Sequence, residues 1–386
     1  NVTVEDNVAP IALCQNITLQ LDANGAGTAT TISVNNGSSD NCAIATMSLS
    51  QSSFGCLEVG ANQEVLTVTD VNGNSSSCST TITVVDNVAP SAICQNLTVQ
   101  LDNFGTASIT PSQIDNGSSD ACGVASLTLN MNTFTCANVN ANTVILTVTD
   151  VNGNSNTCTA IVTVEDTLAP VVFCQNVTVQ LDNTGNGSTT ASAVDNGSFD
   201  GCGIQSMTLS QSAFVCSEVG ANSEVLTVTD VNGNSATCAT VITVEDNVDP
   251  IAVCQNITVQ LDNNGNASIT ANQINDASSD ACGIASLAIN STTFTCANIN
   301  SNTVILTVTD VNGNSSTCSA IVTIQDTVPP IATCQNITVQ LNNTGTGSTT
   351  AAAVNNGSSD ACGIQSLSLS QTTFVCAEVG ANTEVL

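Results

Sequence analysis

The chain has 386 residues, 31 acids and not one Lys, Arg or His, so its formal net charge is −31. No side-chain ion pair can form within it. Neutralising a nucleic-acid backbone or an anionic membrane surface is excluded, because both need Lys or Arg. Catalysis is nearly excluded too: with His, Lys, Arg and Tyr all absent, most acid–base and nucleophile–base pairs have no members.

One interval organises the rest. Asp6, Asp86, Asp166, Asp246 and Asp326 stand 80 residues apart without insertion or deletion, and Cys14, Cys42, Cys56 and Cys78 recur at the same spacing. A fixed period of this kind marks a tandem array. It predicts the end of a preceding repeat at 1–6, repeats at 7–86, 87–166, 167–246 and 247–326, and a truncated fifth at 327–386. Five repeats would hold twenty Cys, and the 19 present fit a fifth that stops before its last. A strand pattern already under way at residue 1 reads as a window cut from something longer.

In the first repeat, the linker at 7–10 leads into a strand over 11–21, where Ile17, Leu19 and Leu21 alternate with Thr18 and Gln20. Asp22-Ala23-Asn24-Gly25 is a turn. A second strand over 27–34 precedes the loop Asn35-Asn36-Gly37-Ser38-Ser39-Asp40. A third covers 43–50, with Met47 and Leu49 inward. Short strands over 52–59 carry Phe54; with Phe134, Phe214, Phe294 and Phe374 it supplies one aromatic core anchor per repeat. A strand over 63–69 then runs into the turn Asp70-Val71-Asn72-Gly73-Asn74, and the last strand covers 75–85. The ten residues 66–75 return unchanged at 146–155, 226–235 and 306–315. Asn-Gly between alternating apolar residues is a strong hairpin signal. Helix signals are lacking. About seven short strands per repeat predict an all-β fold of tandem immunoglobulin-like or fibronectin-III-like β-sandwiches in a linear head-to-tail array. No segment approaches the ~20 apolar residues of a membrane span, so no direct membrane insertion is expected.

A longer period is superposed. Glu58 and Glu64, with Glu218, Glu224, Glu378 and Glu384, occur only in odd repeats; even repeats carry Asn138, Val144, Asn298 and Val304 in their place. This A-B-A-B-A pattern reads either as duplication of a two-repeat block or as two faces that meet different neighbours.

The Cys content argues for an oxidising, extracellular setting. Four Cys allow three pairings. The expected one joins Cys14 to Cys78 and Cys42 to Cys56, the second closing a local loop worth about 3 kcal/mol on the chain-entropy model. The same scheme pairs Cys94–Cys158 and Cys122–Cys136, Cys174–Cys238 and Cys202–Cys216, Cys254–Cys318 and Cys282–Cys296, and Cys362–Cys376.

In a sandwich of this topology the linker, the 35–40 loop and the 70–74 turn lie at one pole. That groups Asp6, Asp40 and Asp70 with Asn72 and Asn74. The later sets are Asp86, Asp120, Asp150, Asn152 and Asn154; Asp166, Asp200, Asp230, Asn232 and Asn234; Asp246, Asp280, Asp310, Asn312 and Asn314; and Asp326 with Asp360. Two readings compete. The acids cap turns and stay solvated, or they ligate a cation. Converging carboxylates with no basic neighbour repel one another, and an oxygen-only donor set suits Ca²⁺ over Mg²⁺. Calcium is therefore the expected cofactor.

Asp-x-x-x-Pro at the linker, a Cys soon after, Thr-Val-Thr-Asp-x-x-Gly-Asn, then a Cys and Thr-Val-x-Val before the next Asp resemble the hyalin repeat (HYR) family over essentially the whole chain. Long arrays of this kind are typical of secreted Bacteroidota surface proteins. The resemblance implies an immunoglobulin-like fold and a role in adhesion or extracellular scaffolding. Glu5-Asp6-Asn7-Val8-Ala9-Pro10 is also similar to the calcium-binding linker of cadherins. The Cys42 and Cys56 positions depart from the HYR pattern. The expectation is a non-enzymatic, calcium-stiffened, disulfide-stapled rod or filament, partnered by further copies of the repeat. The alternative is the stalk or ligand-binding region of a cell-surface adhesin that contacts surface or glycan ligands.

Overall fold

A computed structural model describes residues 1–386. The first repeat folds as β1 (Ile17–Gln20), β2 (Gly27–Thr28), α1 (Thr31–Val34), β3 (Ile44–Leu49), β4 (Ser53–Phe54), β5 (Gly60–Asp70) and β6 (Ser75–Val85). Four strands form one sheet in the order β1-β6-β5-β3, and β2 pairs with β4 in a second. β1 lies parallel to β6, with Ile17 opposite Ile82. β5 is antiparallel to both β6 and β3, with Leu66 opposite Cys78 and Leu49. The second and fourth repeats have the same two sheets. The third presents the same elements in the same order along the chain.

The core follows from period-2 alternation in the two longest strands. Leu66 and Val68 of β5, and Ile82 and Val84 of β6, are fully buried, and Phe54 packs with them. Each such side chain contributes roughly 1.5–3 kcal/mol by leaving water. In the second repeat the equivalent core is Phe134, Leu146, Val148, Val162 and Val164, closed by Ile109 and Ile114. By its packing the chain divides into two compact units, one of residues 1–173, 197–207 and 227–237, the other of 174–196, 208–226 and 238–386.

Two local expectations are corrected. The strand expected over 27–34 stops at Thr28, and Thr31–Val34 turns once as a helix. Thr30 Oγ1 accepts from Ser33 N–H while Ser33 Oγ accepts from Thr30 N–H, a reciprocal capping box. In the second repeat Pro111 stands in the first turn and Gln113 closes the box. The strand expected over 11–21 is regular only from Ile17; Ile11 and Cys14 make single bridges to Ser39 and Asn35.

These elements fix two poles. The linker, the 35–43 loop and the 70–75 turn meet at one: Val71 N–H donates to Ala43 O, and Ile11 N–H to Ser39 O. The 22–26 turn and the 3₁₀ turn Cys56–Glu58 lie at the other. The chain from Cys42 to Cys56 thus crosses the repeat from pole to pole.

Candidate cation site at the repeat junctions

The 70–74 turn is built around Asp70. Its Oδ1 accepts from the N–H groups of Asn72 and Asn74, each at 2.8 Å, and its Oδ2 from the Asn74 amide at 2.8 Å. Asp150, Asp230 and Asp310 hold the same positions under the N–H groups of Asn152, Asn232 and Asn312. Burial works against the charge on Asp70 and Asp150, but the bonds from Asn74 or Asn154 and the turn N–H groups outweigh it and hold both carboxyls below the usual range. These aspartates are saturated by their own turns. They are not among the groups of ligand atoms that lie within 4.8 Å of one another, which pair the linker and loop carboxylates.

The asparagines at the end of the turn clasp the linker. Asn74 Nδ2 donates to Asp6 O at 3.0 Å, and Asn154, Asn234 and Asn314 repeat this on Asp86, Asp166 and Asp246. Ser76 and Asn156 add bonds to the linker carbonyls of Pro10 and Pro90. Each of these four linkers is thereby fixed to the repeat that follows it.

The carboxylates that do converge are those of linker and loop. Asp86 and Asp120 place ligand atoms within 4.8 Å of each other and of Cys122 Sγ, and Asp6 with Asp40, Asp166 with Asp200, Asp246 with Asp280 and Asp326 with Asp360 do the same beside their own Cys. Each loop carboxylate spends an oxygen on the loop backbone, as Asp120 Oδ1 does on Cys122 N–H and Asp360 Oδ1 on Cys362 N–H. Linker carboxylates spend one on the N–H two residues on, as in Val88 to Asp86 Oδ1. What remains is unusual. Asp86 Oδ2, Asp166 Oδ2, Asp246 Oδ2, Asp40 Oδ1 and Asn152 Oδ1 are buried oxygens with no hydrogen-bond donor. Asp86 and Asp246 are each only 7% exposed. A buried acceptor without a donor is costly. The charge adds to that cost at Asp166, where burial first and then Asp200 and Asp230 push the carboxyl above its ordinary range.

These oxygens fit a hard cation. Carboxylates are donors that Ca²⁺ takes, and so is an amide oxygen such as that of Asn152, in the turn that clasps the Asp86 linker. The neighbouring Cys sulfurs of the internal junctions are not thiolates, since all are in disulfides. At the first pole Cys42 is free; its thiol, the Val8 N–H and Asn72 bond Asp6 and lower its carboxyl.

Cys14–Cys78, Cys94–Cys158, Cys174–Cys238 and Cys254–Cys318 are bonded, each tying the start of a repeat to its last strand. The second pair is not the expected one. Cys56 bonds Cys122, Cys136 bonds Cys202, Cys216 bonds Cys282 and Cys296 bonds Cys362. The expected pairs Cys42–Cys56, Cys122–Cys136, Cys202–Cys216, Cys282–Cys296 and Cys362–Cys376 are absent, and Cys42, Cys334 and Cys376 are free. The reason is the extended strand Ile44–Leu49 between the first two, which sends them to opposite poles, well beyond the ~7 Å limit on Cα separation in a disulfide. Cys56 therefore meets the loop of the following repeat, at a Cα separation of 5.0 Å.

Sequence reasoning also missed the 22–26 turn as a junction element. Gly25 has φ of +72°, and a Cβ there would lie 2.7 Å from Cys56 Sγ and 3.2 Å from Ala121 Cβ of the next repeat. At the next junction Asp102 and Asn103 line a crevice with Asp166, Asp200 and Cys202. An Asp-x-x-Gly turn on the pole opposite the linker was the available signal.

No family model matches the chain. It is 32% identical over 317 residues to hyalin of Strongylocentrotus purpuratus, an alignment that takes in 77% of this chain and 26% of hyalin. The chain thus spans about a quarter of the length of that relative. Among solved structures, the protocadherin GammaB4 extracellular domain aligns over 88% of this chain and 70% of its own at 14% identity and a TM-score of 0.28. Drosophila N-cadherin EC1-4 aligns over 81% and 99% at 11% identity and a TM-score of 0.25.

Proposed function

We propose that the chain is a non-enzymatic extracellular structural protein, a rod or filament whose repeat junctions are each closed by one disulfide and one bound Ca²⁺. The observation that carries this reading is the set of linker carboxylates with a buried oxygen that no donor meets, Asp86, Asp166 and Asp246, each beside a second carboxylate of the following repeat. Bound calcium would supply the positive charge that a chain without Lys, Arg or His cannot, and would be held by Asp86 with Asp120 and Asn152, Asp166 with Asp200, Asp246 with Asp280, and Asp326 with Asp360. The residues themselves already fix the linkers through the asparagine clasps, so the cation's part is to remove repulsion. The disulfides and the similarity to hyalin support an extracellular setting and a scaffolding role. The partners on this reading are further copies of the repeat.

The direct test is electron microscopy of the oxidised chain. In calcium, straight particles of constant width are expected, and in chelator, bent ones. Equally flexible strings in both would defeat the proposal.

A further inference from the structure

We propose that the disulfides turn the array into a two-rail covalent ladder, which stays in one piece after any single backbone cut between Cys14 and Cys362. Two independent paths run along the chain. One enters a repeat through the disulfide Cys56–Cys122, crosses it by the segment 122–136, and leaves through Cys136–Cys202. The other crosses the same repeat by Cys94–Cys158 and leaves by the backbone segment 158–174, which holds the linker. The two paths share no residue. The segments 94–122 and 136–158 join them as rungs.

Every section through the array therefore cuts two covalent connections, one peptide and one disulfide, and the two kinds exchange places between junction and repeat. At a junction the peptide is the linker and the disulfide bridges the repeats. Inside a repeat the disulfide is Cys94–Cys158 and the peptide is 122–136. A cut in any segment leaves the other path whole, and so does loss of any one inter-repeat disulfide. Parting needs two breaks in the same section.

The ladder also limits stretching. An unfolded repeat can lengthen only to its shortest path, the fourteen residues from Cys122 to Cys136, about 50 Å at ~3.6 Å per residue. A free 80-residue repeat would reach about 290 Å on the same basis. The rungs carry Leu101, Ile109, Ile114, Val144, Leu146 and Val148 of the core, whereas Phe134 lies on the shortest load path. This tolerance does not depend on the junction cation, and it matches a sequence that offers trypsin-like proteases no Lys or Arg.

The test is exhaustive digestion by a Glu-specific protease of the denatured, unreduced chain, with Cys42, Cys334 and Cys376 alkylated beforehand. The nine Glu include Glu165 and Glu245, in or beside two linkers. The ladder predicts one disulfide-linked species made of 6–58, 65–165, 166–218, 225–245 and 246–378, which falls into five peptides on reduction. Separation at Glu165 or Glu245 without reductant overturns it. A Cys136→Ser, Cys202→Ser double variant should separate at Glu165 under the same conditions, and a variant that stays whole also overturns it.

Discussion

Asn154 Nδ2 donates to the backbone oxygen of Asp86 at 3.1 Å and to Asp150 Oδ2 at 2.8 Å. One amide thus joins linker to turn, and it separates two aspartates that the sequence groups together. Asp150 serves the turn, whereas Asp86 keeps an oxygen facing the junction. Asp150→Ala should lower the melting temperature equally in calcium and in chelator. Asp86→Ala should remove the calcium-dependent part that its own junction contributes and, by deleting an oxygen that no donor meets, leave the chelator value equal or higher. Scanning calorimetry of the two variants checks this, and a calcium-specific loss in Asp150→Ala would reverse the assignment.

Acidity should act in two opposite senses in chelator. The turn carboxyls of Asp70 and Asp150 are held low by hydrogen bonds, so their stabilisation is present above the unfolded-state pKa of about 3.9 and is lost as pH falls through the folded value. Asp166 is raised by burial and by its acidic neighbours, so its contribution is present below about 3.9 and is lost as pH rises through the folded value. Melting temperature without metal should therefore peak near the unfolded-state value of about 3.9, where the two windows meet. Calcium should flatten the high-pH limb only. A melting profile against pH in calcium and in chelator reads both limbs.

The interior predicts a simpler result. Phe134 is 1% exposed at the centre of its core. Truncation to Ala should cost about 3–5 kcal/mol, from lost transfer energy plus a cavity. Urea denaturation of the oxidised chain measures it.

The alternation of odd and even repeats has an internal account. Glu64 is buried at the position of Val144, and Ser50 donates to its Oε2 and accepts from Val65 N–H. Even repeats replace the trio Ser50, Glu64 and Thr80 by Asn130, Val144 and Ala160, with Asn130 accepting from Ile145 N–H. Glu58 likewise caps its own 3₁₀ turn, a task Asn138 performs in the second repeat. Converting the whole trio of the first repeat to Asn, Val and Ala should leave stability equal or higher. Val144→Glu alone should destabilise, because the even repeat lacks the serine that bonds the carboxylate. Paired urea melts distinguish these outcomes.

The close approach at the junction gives a steric prediction. Gly105 has φ of +71°, and a Cβ there would meet Cys136 Sγ at 2.4 Å and Gly201 O at 2.7 Å. Gly105→Ala should weaken protection of the Cys136–Cys202 bond. The readout is its rate of reduction by dithiothreitol beside that of Cys56–Cys122.

Much of the fold was legible because period-2 alternation reports burial directly, as along Leu66, Val68, Ile82 and Val84. The helical turn at Thr31–Val34 escaped because one turn has no periodicity, although Thr110-Pro111-Ser112-Gln113 carried a capping box. The meeting of Asp86 with Asp120 followed from topology. The hydrogen bonds that Asp150 accepts within its own turn did not, because which donors a carboxylate meets is left open by the residue type. The first Cys pair of each complete repeat was legible, and the second failed on distance. Fourteen residues look local in sequence, but a strand between Cys42 and Cys56 makes them far apart.

Calcium binding at each junction is tested by titrating the oxidised chain with Ca²⁺ in a calorimeter, followed by thermal melting of the loaded and chelated forms. Saturable binding is expected at the four junctions that begin at Asp86, Asp166, Asp246 and Asp326, with a clear rise in melting temperature. Absence of binding heat together with identical melting in calcium and chelator would contradict it.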